Sequence, residues 1–171
     1  MRELAPLHGQ AVRLRPPTRH DAQRLTDILS HPEVARWWGS FALDRVRREL
    51  IDPDDGTVTF AVEADGQVIG LIQYYEEDDP EYRHAGIDLF LTSDRQGRGL
   101  GRDAVRTLAL HLVRDRGHHR LVIDPAAENE RAIRCYEAVG FKRVGVLRQH
   151  WRAPDGTWRD GVLFDLLADE I

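Results

Sequence analysis

The chain has 171 residues, 42% of them hydrophobic, and 24 Lys and Arg against 29 Asp and Glu leave a formal charge of −5 at pH 7. This composition supports one domain, 1–171, with a buried core; it excludes a broad basic nucleic-acid face and a bilayer span, which takes about 20 consecutive apolar residues. The single cysteine, Cys135, excludes an internal disulfide and a cysteine-cluster metal site, and with no apolar leader in residues 1–10 a cytoplasmic setting is expected.

Val12-Arg13-Leu14-Arg15 alternates and then meets Pro16-Pro17, which predicts a short strand that stops there. Thr18, with Asp21 three residues on, is a cap signal for a helix through Leu25, Ile28 and Leu29. His31-Pro32 ends it, and a second helical piece is expected from Pro32 into Trp37-Trp38-Gly39. Leu43, Val46 and Leu50 continue at helical spacing until residues 52–56 break the chain. Residues 57–64 alternate apolar and polar, Asp65-Gly66 is a hairpin turn signal, and residues 67–75 form the partner strand. An acidic stretch, residues 76–81, separates this hairpin from a strand at 85–91.

Further on, Val105, Leu108, Ala109, Leu112 and Val113 fall on one helical face, the strongest helix signal in the chain, closed by Gly117. Residues 120–123 read as a short buried strand and residues 129–139 as a helix stopped at Gly140. Two last strands, about 142–151 and 157–166, flank Pro154-Asp155-Gly156. Strands alternate with helices in the middle and pair as hairpins elsewhere, so the expected fold is α/β with a mixed sheet.

Gln96-Gly97-Arg98-Gly99-Leu100-Gly101 lies between the strand ending at Leu91 and the strong helix. Glycines let the backbone approach a ligand, and the positive end of the helix dipole favours phosphate. Arg95, Arg98 and Arg102 flank the loop. No Gly-Lys-Ser/Thr ending is present, which sets aside a Walker loop, and the spacing does not fit G-x-G-x-x-G. A bare glycine-rich helix entry is the alternative. Downstream, Asn129, Ala132, Ile133 and Tyr136 share one face of the second helix. That face serves a ligand or simply packs in the core.

Together, Q-x-x-G-x-G and N-x-x-A-I-x-x-Y-x-x-x-G-F closely resemble the GNAT acyl-CoA N-acyltransferases, over a span from Val12 to Leu166. The resemblance implies a single GNAT domain with a mixed sheet of about seven strands and about four helices, and acetyl-CoA as co-substrate. It implies that residues 96–101 hold the pyrophosphate through backbone N–H groups, with Phe90, Leu91 and Arg102 also on the cofactor side. Asn129 would approach the pantetheine arm and Tyr136 the thioester sulfur.

Within that superfamily the chain resembles the aminoglycoside 6′-N-acetyltransferases. The carrying segments are Arg36-Trp37-Trp38-Gly39, Ile69-Gly70 with Gln73-Tyr74-Tyr75, Gly86-Ile87-Asp88, and Asp124-Pro125 leading to residues 131–137. It departs from them at residues 124–128, where a serine-containing segment is common, and in a shorter loop after Tyr75. The resemblance implies Asp88 as catalytic base and Asp124 as ligand for a substrate ammonium.

Acetyl transfer from a thioester to an amine needs a proton acceptor, oxyanion donors and a proton for the departing thiolate. Asp88 fits the first need and Tyr136 the last, unless its phenol is only a spacer. Trp37 and Trp38 wall an acceptor pocket or pack in the core. Tyr75 and Asp79 are expected on the acceptor side, where the acidic stretch either steers a small cationic amine or is a solvated loop. Cys135 is expected to face away from Tyr136 as a bystander, and no metal is expected. The rival readings are a GNAT acting on a protein N-terminus, siderophore precursor or polyamine, and a non-catalytic acyl-CoA-binding module. Monomer and homodimer stay open.

Overall fold

A computed structural model describes residues 4–171. Its elements are β1 (Leu7–His8), β2 (Arg13–Arg15), α1 (Ala22–Ser30), α2 (Pro32–Trp38), α3 (Leu43–Val46), β3 (Val58–Ala64), β4 (Gln67–Glu77), β5 (His84–Leu91), α4 (Leu100–Arg114), β6 (Arg120–Ile123), α5 (Glu130–Val139), β7 (Lys142–Arg152) and β8 (Trp158–Leu167). The strands form one sheet in the order β1-β2-β3-β4-β5-β6-β8-β7. All neighbours are antiparallel except β5 and β6, so the mixed sheet expected from the sequence is present.

Among the described residues, eight strands and five helices stand where about seven and about four were expected. The extra strand, Leu7–His8, is two residues long and too short to alternate. Past Val46 the chain widens into a π-helical turn over Arg47–Ile51. At the β3–β4 hairpin, Asp65 and Gly66 take φ of 51° and 73°, the two positive values a tight primed turn requires.

Each face of the sheet carries its own apolar layer. Phe60, Ile72, Ile87, Leu108, Leu121 and Phe164 meet under α4 and α5, whereas Leu25, Leu29, Val46, Leu71 and Phe90 pack with α1–α3. Two carboxylates pin the N-terminal segment onto this frame. Asp103 on α4 accepts the backbone N–H groups of Gln10, Ala11 and Val12 at 2.7–3.0 Å. Asp21 takes both Nη atoms of Arg15 and the N–H of Thr18, and the Arg15 guanidinium holds its carboxyl below the usual carboxylate range.

β5 and β6 pair only at Ala85↔Leu121 and Gly86↔Val122. Beyond that point β5 stays on β4 as far as Leu91↔Gly70, while β6 follows β8 through Ile123↔Phe164 and then Ala126↔Gly161. The sheet therefore forks, and past Gly86 one edge of β5 has no strand partner among the described residues.

Candidate active site

The fork opens into a cleft of about 420 Å³. Its walls come from α2 (Val34, Trp37, Trp38), the free end of β5 (Leu89, Phe90, Leu91), the glycine loop with the start of α4 (Gln96, Gly97, Gly99, Gly101, Arg102), and α5 (Asn129, Arg131, Ala132, Cys135, Tyr136). Gly97 and Gly99 hold φ of 74° and 79°, which glycine adopts without strain. The first intrahelical bond of α4 runs from Asp103 N–H to the Gly99 carbonyl, so the N–H groups of Leu100, Gly101 and Arg102 have no acceptor within the helix. Three such donors, a helix N-terminus and Arg102 at the border of the cleft suit a diphosphate.

Gln96 keeps this loop in place. Its Nε2 donates to the Leu91 carbonyl at 2.9 Å and its Oε1 accepts from Arg131, joining β5, the loop and α5. Asn129 is the N-cap of α5, its side-chain oxygen accepting the Ala132 N–H at 3.2 Å, and it also borders the cleft. In two residues of the expected cofactor set the side chain lies outside the cleft, which leaves the loop backbone as their means of contact. Arg98 lines a separate groove between residues 6–11 and α4, and Leu100 packs against the core. Cys135 corrects an expectation: it shares the cleft with Tyr136 rather than facing away, because consecutive positions on α5 both border an opening this wide. Burial pushes its thiol up to about 11, so it is no thiolate near neutral pH.

At the fork, parallel register does what neither strand does alone. Asp88 lies two residues past Gly86 and Asp124 two past Val122, so the last paired residues bring both carboxylates to corresponding positions where the strands part. Loss of solvent raises the Asp88 carboxyl to about 6; the charge of Asp124 adds to this, and a 3.5 Å hydrogen bond from Gln73 opposes it. Tyr136 is 5% exposed, and burial drives its phenol far up, with Cys135, Asp88 and Asp124 adding to the shift. The Tyr75 ring lies against Gly86, where any Cβ would overlap it. That glycine lets a tyrosine from β4 sit beside Asp88, its phenol raised by burial and by the Asp124 and Asp88 charges.

The two tryptophans separate. Trp38 packs edge-on against Phe90 at 5.0 Å between centroids, while Trp37 meets Trp151 at 6.3 Å with Arg36 over its ring. Asp79 stays in the exposed loop after β4, accepting the Glu81 N–H, and does not border the cleft. Glu76, at the head of the acidic stretch, is engaged by Arg116 and His118 at 2.7 Å each, and the Arg116 guanidinium holds its carboxyl at about 2.

Sequence reasoning missed Gln73, His150 and Trp151. Gln73 sat in a quoted segment without a role. His150 Nε2 stands 2.6 Å from Asp124 Oδ2, but residues 142–151 read as an unbroken strand and gave no sign of a bend there. Among the described residues no helix is long and apolar enough to cross a membrane, and no three His, Cys, Asp or Glu groups are close enough to hold a metal ion.

Known proteins resemble the chain in sequence and fold. The family of the acetyltransferase (GNAT) domain matches residues 11–142. Aminoglycoside N(6′)-acetyltransferase type 1 of Klebsiella pneumoniae is 33% identical over 170 residues, covering 86% of this chain and 80% of the relative. Spermidine N(1)-acetyltransferase of Escherichia coli strain K12 is 28% identical over 164 residues, covering 90% and 84%. A crystal structure of an aminoglycoside acetyltransferase, AAC(6′)-Ib, with coenzyme A and kanamycin superimposes with a TM-score of 0.77 at 29% identity over 94% of this chain and 96% of that one.

Proposed function

The chain belongs to the GNAT acetyltransferases, and from that premise we propose that it moves the acetyl group of acetyl-CoA to the 6′-amine of aminoglycosides. The observation that carries this reading is the fork: two carboxylates, Asp88 and Asp124, follow the last paired residues of β5 and β6, and Asp88 directly precedes the Leu89–Leu91 wall of a cleft suited to acetyl-CoA. Support comes from the Klebsiella relative and from the similar structure that holds kanamycin.

On this reading, residues 97–102 receive the diphosphate and the free edge of β5 runs beside the pantetheine arm. An aliphatic amine titrates near ~10 and arrives as an ammonium, which two carboxylates attract. Asp88, at about 6, remains a weaker base than the amine. An ammonium has no lone pair, so Asp88 first takes one of its protons against that gradient; the free amine then attacks, and the nitrogen, made acidic by the new C–N bond, releases its second proton to water. Unpaired backbone N–H groups of β5 are the donors available to the developing oxyanion. Tyr136 is protonated at any working pH and donates to sulfur as the C–S bond breaks, its proton following the charge rather than leading it.

A coenzyme A release assay with aminoglycosides, polyamines, siderophore precursors and N-terminal peptides tests the reading. Aminoglycosides should give the highest kcat/KM. Preference for spermidine or for a peptide would transfer the site to that acceptor, and acetyl-CoA binding without release to any amine would make it a binding module.

A further inference from the structure

Between Leu147 and Trp151, β7 loses its register with β8. Leu147 faces Gly161 and Trp151 faces Arg159, so Arg148, Gln149 and His150 share the one opposing residue Asp160. Gln149 takes φ of 49°, which a non-glycine residue adopts only when its surroundings hold it there. Asp160 does the holding: its carboxylate accepts the Gln149 N–H at 2.8 Å, and its carbonyl accepts the Trp151 indole N–H at 3.3 Å and the Ala127 N–H at 2.9 Å. The bulge turns His150 onto Gly161, where a Cβ would come within 2.8 Å of the ring, and leaves Nε2 against Asp124 Oδ2.

Resting on the acetyltransfer reading above, we propose that His150 is a positioning residue of the acceptor site, fixing one Asp124 oxygen so that the other stays aimed at an acceptor ammonium. The side chain of Asp124 is 38% exposed, so its second oxygen can be reached. An unheld carboxylate at a strand end rotates, and ordering it on binding costs affinity; a charge-assisted hydrogen bond settles that cost in advance.

His150→Ala should raise the acceptor KM roughly 3- to 10-fold, the cost of ordering one side chain, with kcat and the acetyl-CoA KM unchanged. His150→Gln carries an N–H that reaches the same oxygen and should restore KM. Adding His150→Ala to Asp124→Asn should cost nothing further. An unchanged KM in the alanine variant, a glutamine variant as impaired as alanine, or a lowered Tm with kcat and both KM values equally damaged would each overturn the proposal. ¹⁵N NMR of the imidazole provides an arm that needs no acceptor: a downfield, slowly exchanging Nε2–H in the parent should vanish in Asp124→Asn. A ring that behaves alike in both proteins refutes the positioning role, whichever amine the enzyme uses.

Discussion

The cleft and the carboxylate cluster at the fork beside it are built differently. The cleft suited to acetyl-CoA draws its phosphate donors from neighbouring sequence: the end of β5, the glycine loop and the first turn of α4, residues 89–102, offer backbone N–H groups and a helix end. The proposed acceptor side is assembled from side chains that sequence keeps far apart: Trp37 on α2, Tyr75 on β4, Asp88 on β5, Asp124 after β6, and His150 and Trp151 on β7. A backbone cradle tolerates side-chain change except where a residue must be glycine. A site made of side chains can change acceptor one substitution at a time. The contrast predicts that variants on the acceptor side change chemistry and acceptor KM, and that loop variants change acetyl-CoA affinity alone.

The largest effect is expected at Asp88. Asp88→Asn should lower kcat by roughly 10²- to 10⁴-fold, the usual range for loss of an acid–base group, with acetyl-CoA affinity intact by calorimetry. In the parent, kcat/KM should rise through about pH 6 as the carboxyl ionises and then level off, and this limb should be absent in the variant. The raised value also fixes a stability sign. Ionised Asp88 opposes folding above about pH 6 and protonation relieves it, so the variant should melt no lower than the parent at pH 8. A lower Tm would point to a structural role instead.

Tyr136→Phe keeps the ring and removes the proton. We expect kcat to fall roughly 10- to 1000-fold at unchanged acetyl-CoA affinity, and normal turnover would reduce the phenol to a spacer. Gly99→Asp tests the cleft. No protein atom lies within 4 Å of a Cβ there, so the fold should survive a strained φ of 79°. A carboxylate beside the expected diphosphate should weaken acetyl-CoA roughly 10- to 100-fold, the worth of one charge-assisted hydrogen bond. Unchanged calorimetric affinity would move the cofactor away from this loop. The smallest effect is expected for Asp124→Asn, a roughly 10-fold rise in acceptor KM with little change in kcat, since an ion pair forms already in the ground state.

Legibility in the sequence followed the same division. Gln96 through Gly101, the α4 face and the hairpin at Asp65-Gly66 depend on local spacing, and the structure has each where spacing put it. Asp88 and Asp124 could be named singly, but their adjacency follows from a two-residue parallel register that no local pattern encodes. Trp37 and Trp38 looked equivalent; the helix turns one toward Trp151 and the other onto Phe90. His150 was invisible because its direction depends on a bulge fixed by Asp160, ten positions further on, and by the missing side chain of Gly161.

Turnover of a matched pair of kanamycin-class substrates, one with a 6′-amine and one with a 6′-hydroxyl, tests the proposed reaction most directly. Coenzyme A release with the amine and none with the hydroxyl is the expected result, because Asp88 and Asp124 attract an ammonium and Asp88 takes the proton that frees its lone pair for attack. Efficient turnover of the hydroxyl compound, or no turnover of either alongside rapid acetylation of a peptide, would contradict it.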